Sequence, residues 1–127
     1  MGMHGKWVDV SEMQGGEVMD SYQVMLFKRV HRRFWQLDME STAYIQRTEW
    51  LPFAPSPGLW LSDEGLDEEI KSLYYNIAMV RFDAYTQDDD EKSSVFTKEQ
   101  AQEKMDGIIR KYIGEGWELS KCKEEKR

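Results

Sequence analysis

The sequence predicts an α+β fold, a mostly antiparallel sheet with one amphipathic helix over 97–114 packed on a face. Three observations carry it. Residues 70–87, "IKSLYYNIAMVRFDAYTQ", alternate strand formers over a long run. Residues 101–113 repeat Ala101, Met105, Ile108, Ile109, Tyr112 and Ile113 at helical spacing. Between such runs lie short turn-rich stretches, "DEGLDEE" (63–69) and "DDDEK" (88–92), of the kind that join neighbouring strands.

Taken from the N-terminus, residues 1–18 lack periodicity and hold four glycines, so they read as a flexible arm. Codons for "QGGEVM" (14–19) can spell a ribosome-binding site, which makes Met19 an alternative start and 1–18 an extension. A single globular domain is expected over 19–122, with a solvated tail over 123–127. "SYQVMLFKRV" (21–30) alternates as a half-buried strand, followed by a turn or short helix. A helix competes, because Met19, Tyr22, Leu26, Val30, Phe34 and Leu37 would also form one stripe. "DMEST" (38–42) is a connection, and "AYIQRTEWLPF" (43–53) is a strand that stops at the prolines.

"WLPFAPSPGLWL" (50–61) contains all three prolines of the chain. They stiffen an inter-strand crossing, with Gly58 turning into the next short strand. Residues 63–69 form an acidic loop or a helical turn. The run 70–87 is too long for one strand and breaks near Asn76–Ala78 into a hairpin. There Tyr75, Ile77 and Met79 face one way, and Tyr74, Ala78, Val80, Phe82 and Ala84 the other. "SSVF" (93–96) is a short return strand. Thr97 and Gln100 form a capping box, Gly114 and Gly116 end the helix, and "WELSKC" (117–122) is a closing strand.

In "IIRKYIGEGWELSK" (108–121), Gly116 permits a sharp exit, Trp117 seals the junction of helix and sheet, and Leu119 returns to the core. Residues 97–122 resemble the end of a family of small uncharacterised bacterial domains, in which an amphipathic helix runs into a Gly-Trp-Glu-Leu strand. The resemblance implies a helix lying on an antiparallel sheet that the closing strand joins. It implies no catalytic residue. A small bacterial or phage-related protein is the resulting reading.

Composition narrows the function classes. The 127 residues suit one domain, and sixteen aromatics (five Trp, six Tyr, five Phe) supply its core. A net charge of −7 weighs against general affinity for nucleic acid and for anionic lipid. One cysteine, Cys122, excludes an intramolecular disulfide and a Cys-based zinc site. With no apolar run long enough to span a bilayer, the expectation is a cytoplasmic protein with no membrane partner.

No catalytic residue, metal site or cofactor is predicted. Nucleophiles need a positioned base, and His31, set among Lys28, Arg29, Arg32 and Arg33, shows no partner and reads as an exposed residue in its neutral form. The carboxylates of 63–69 and 88–91 lack calcium-loop spacing. The leading reading is a non-catalytic interaction module that contacts a second copy of itself, or another protein, through Phe53, Trp60 and Trp50. One alternative is a ligand-binding or enzymatic domain with a pocket of Trp50, Trp60, Tyr74 and Tyr75. A second is single-stranded nucleic-acid binding through 28–35, where Arg29, Arg32 and Arg33 supply charge and Phe34 and Trp35 supply stacking faces.

Overall fold

In the computed structural model the described residues are 7–9 and 21–126. The arm over 1–18 and the start at Met19 lie outside them, apart from a short strand, Trp7–Asp9. In chain order the elements are β1 (Trp7–Asp9), β2 (Tyr22–Phe34), β3 (Met39–Leu51), β4 (Trp60–Asp63), β5 (Leu66–Asn76), β6 (Arg81–Thr86), β7 (Asp89–Ser93), α1 (Lys98–Gly114) and β8 (Glu118–Lys126). They fall into two compact units, Met1–Phe27 with Arg47–Gln87, and Lys28–Gln46 with Asp88–Arg127.

The expectation of a mostly antiparallel sheet is corrected. The protein is mostly β, with a single helix among the described residues, and its sheet is mixed. Strand β1 runs parallel to β4, and both β6 and β7 run parallel to β2. Antiparallel pairs join β4 to β5, β5 to β6, and β3 to β8. Local turn signals report hairpins only. The parallel pairs join segments some sixty residues apart, such as Val24 with Phe82, and leave no local trace.

In the first unit the strand order is β1-β4-β5-β6-β2. Strand β2 settles the competition between strand and helix. Tyr22, Leu26, Val30 and Phe34 lie four apart, which fits one stripe of a helix and one face of a strand alike. Val24 shares that face only in a strand, and it is fully buried. The proline crossing ends β3 at Leu51, as expected, and Gly58 takes φ 88° while its N–H donates to the Ile70 carbonyl at 2.7 Å. Leu51, Leu59 and Leu61 are buried, each contributing about 1.5–3 kcal/mol.

The acidic stretch at 63–69 is neither loop nor helical turn. Asp63 pairs with Leu66 across a two-residue reversal at Glu64 and Gly65, with Gly65 at φ 74°. The Asp63 carboxylate accepts from the Glu64 N–H at 2.8 Å, and strand pairing resumes at once. The long run breaks at Ile77–Val80, matching the expected hairpin, and Asn76 pairs with Arg81 below the turn.

In the second unit the order is β7-β2-β3-β8. The expected connection at 38–42 shrinks to a 3-10 turn, Trp35–Leu37, and Asp38 in the left-handed region at φ 52°. "DDDEK" is strand from Asp89 onward rather than turn, for a reason given by its partners below. Of "SSVF" only Ser93 is strand, as the end of β7: Val95 is buried with Phe34, Met39 and Ala101, while Phe96 lies in solvent.

Helix α1 forms where its spacing predicts and buries Ala101, Met105 and Ile109. The Thr97 hydroxyl accepts the Gln100 N–H at 3.1 Å, while the Gln100 side chain caps the N–H of Phe96 rather than of Thr97. At its other end Gly116, at φ 103°, donates to the Ile113 carbonyl and Trp117 to that of Tyr112, a paired stop that leaves few carbonyls orphaned. Trp117 is buried with its ring edge-on to Tyr112. Two expectations fail beyond it. Strand β8 continues through Lys126 by pairing with β3, so residues 123–126 are no loose tail, and Leu119 is exposed on this one-sided edge strand.

Candidate functional site

Two surfaces of the first unit and one charged cluster of the second gather the candidate residues. The first surface is the proline crossing. Its leucines and Pro55 turn inward, but Trp50 stays 59% exposed and Trp60 37%, with Phe53 half-buried. The flanks split because Leu51 and Trp50, and likewise Leu61 and Trp60, are strand neighbours pointing to opposite faces. No charged residue occurs from 50 to 61.

The second surface is the turn between β5 and β6. Ile77, Val80 and Met79 are exposed by 82%, 69% and 56%. The Asn76 carboxamide accepts from the Met79 N–H at 3.0 Å and donates to Asp83 at 3.1 Å, and Asp83 also takes the Arg81 guanidinium at 2.7 Å. Three polar side chains thus brace the turn from below. Below it, exposed Tyr75 meets Phe82 edge-on and exposed Tyr74 meets Tyr85. The face assignment made from the sequence is corrected here. The turn inverts the alternation, so Tyr75, Phe82 and Ala84 share one face and Tyr74 takes the other.

The expected aromatic pocket therefore does not form as drawn, since Tyr74 and Tyr75 diverge. A cavity of about 230 Å³ in the second unit is lined by Leu37, Met39, Lys98, Glu124 and Glu125, and is smaller than an ordinary ligand pocket.

The basic stretch 28–35 meets the acidic stretch 88–91 along the parallel β2–β7 pair. Arg32 is buried and grips Asp89 with two nitrogens, at 2.9 and 3.2 Å. Arg29 reaches Asp88 at 3.2 Å. Burial pushes the Asp89 carboxyl up, but hydrogen bonds from Arg32 and Tyr112 and the charges of Arg32 and Lys28 outweigh it and hold the group below its ordinary 3.8. The hydrogen bond from His31 likewise lowers Asp90. Opposite charges across neighbouring strands thus give a segment of poor strand formers its place in the sheet.

His31 is not exposed and not without partners. Its Nδ1 lies 3.0 Å from Asp90 and its Nε2 2.6 Å from Glu40. With carboxylates on both ring nitrogens, neither is open to take a proton from a substrate. The nucleic-acid reading meets a similar obstacle. Arg29 and Arg32 are engaged by carboxylates, Arg33 is half-buried and Phe34 is fully buried, leaving Trp35 as the exposed stacking face of the stretch.

Among the described residues, no group of three or more His, Cys, Asp or Glu side chains is arranged to hold a metal ion. Partial burial, then the charges of Glu124 and Asp106, push the Cys122 thiol up from 9.0, which makes it a poor nucleophile. No helix among the described residues is long and apolar enough to cross a membrane.

Comparison with protein-family models, with curated proteins and with solved structures yields no match for this chain. The residues missed in the sequence are Ile77, Met79 and Val80, which alternation assigned to strand faces. The signal was present: a run too long for one strand must turn, and these residues occupy its midpoint.

Proposed function

We propose that the protein is a small non-catalytic interaction module that associates with a second copy of itself through its first unit. The observation that carries this reading is the exposure of Trp50 and Trp60 at the two ends of a stiff, uncharged crossing. Tryptophan dominates contact energies because it buries a large rigid surface at little entropic cost. The charge pattern supports the same choice. Two chains of net charge −7 repel in general, and residues 50–61 are a stretch where they can meet without opposing like charges. Phe53, half-buried beside the indoles in sequence, completes the set.

Sedimentation velocity over a concentration series tests this. A dimer that Trp60→Ala weakens and the Trp50→Ala/Trp60→Ala pair abolishes, with an unchanged melting curve, supports it. A wild-type protein that stays monomeric throughout the series overturns it.

A further inference from the structure

The turn at Ile77–Val80 is a separate surface, and its chemistry differs from that of the tryptophan crossing. We infer that it is a lipid-inserting tip, which dips into the interface of an electrically neutral, phosphatidylcholine-like bilayer. This departs from the expectation of no membrane partner and does not depend on the self-contact proposed above.

Polarity along the hairpin is graded. At the apex stand Ile77, Met79 and Val80, exposed by 82%, 56% and 69%. Tyr74 and Tyr75 follow, both exposed, and beside them lies the Arg81–Asp83 ion pair. One residue, Asn76, separates Tyr75 from Ile77, a reach of at most about 7 Å, which fits the roughly 5–10 Å depth at which apolar groups enter the boundary of headgroups and acyl chains. Tyrosine is a residue that settles at that boundary, with its ring body in apolar surroundings and its hydroxyl in water.

The backbone is held in this form at a cost. Val80 sits at φ 54°, a region that β-branched residues rarely adopt, and stands exposed there. Glycine or asparagine would relax the turn but remove the apolar side chain. The Asn76, Arg81 and Asp83 brace satisfies the polar groups below the apex, so insertion exposes no loose charge to lipid.

Area and charge select the occupant. A four-residue apex is far smaller than the roughly 20–30 residues a side that a stable protein interface uses. A bilayer needs only these side chains. The apex carries no ionisable residue, the Arg81 guanidinium is tied to Asp83, and the chain is acidic, so neutral rather than anionic lipid fits.

Flotation of the full chain with phosphatidylcholine vesicles tests the inference. The wild type co-floats, and Ile77→Ser lowers the partition coefficient about tenfold. Val80→Gly lowers it too while melting at or above the wild-type temperature, which separates loss of insertion from loss of fold. The inference is overturned by wild-type protein that stays at the bottom, by retention only on phosphatidylserine vesicles, or by variants that float as well as the wild type. It is equally overturned if the two variants shift sedimentation of the lipid-free protein and leave vesicle partition unchanged, because the tip then belongs to a protein contact.

Discussion

In the first unit Trp50, Trp60, Tyr74, Ile77 and Val80 lie on the surface, and among the described residues the buried positions are apolar apart from Thr86. In the second unit Lys28, His31 and Arg32 are buried, and most of the exposed residues are polar. The second unit exposes large apolar groups too, among them Trp35, Phe96 and Leu119, so what sets it apart is the charge it keeps inside. The contrast separates two jobs. Charges that face one another within a unit specify how its strands pair, whereas uncharged apolar groups left in water are suited to something that arrives from outside.

The strands on either side of Gln87 show the difference at close range. Both run parallel to β2. Strand β6 is held by Ala84 in the core and by rings: Phe82 against Tyr22 and Tyr75, and Tyr85 stacked on Phe27. Strand β7 is held by Asp89 and Asp90, and its carboxylates find Arg32 and His31.

The contrast can be broken most strongly at Arg32. Arg32→Ala leaves the Asp89 carboxylate without its buried partner and is expected to cost about 3–5 kcal/mol, read by urea denaturation, with hydrogen exchange rising first in β7. Acid should reach the same strand without mutation. Asp89 and Asp90 have carboxyls lowered from 3.8, so their stabilisation is complete above that value and is lost as pH falls through the lower folded-state values. A pH series of amide exchange should therefore show β7 opening below pH 3.8 before β6, which the Phe82 and Tyr85 ring pairs hold in addition to the Arg81–Asp83 pair.

A smaller effect of opposite sign is expected in the first unit. Val80→Gly should raise stability by about 0.5–1 kcal/mol, because glycine accepts the left-handed backbone without strain. Trp50→Ala should change stability least, within about 0.5 kcal/mol, since its side chain is mostly in solvent. A large loss there would mean that the indole packs internally, and the division of labour between the units would fail.

The sequence showed α1 clearly because its signals are local: the Thr97 cap, the apolar spacing and the Gly116 stop lie within twenty residues. It also showed the end of β3 at the prolines and the break at Asn76. Strand β7 was illegible, since "DDDEK" has turn composition and acquires its structure only from cations in a distant strand. His31 was misread for the same reason, its partners Asp90 and Glu40 lying on two other strands. Of the candidate sites, Trp50 and Trp60 were found through composition. The Ile77–Val80 apex was hidden because alternation describes strand faces and says nothing of the residues that leave the sheet.

The central claim, that the first unit makes a self-contact while the second is charge-paired within itself, is tested most directly by sedimentation equilibrium of the wild type and of the Trp50→Ala/Trp60→Ala pair. A wild-type mass tending to twice that of the monomer, and a pair variant that remains monomeric with its fold intact, is the predicted result. Equal masses for the two proteins at every concentration would contradict it.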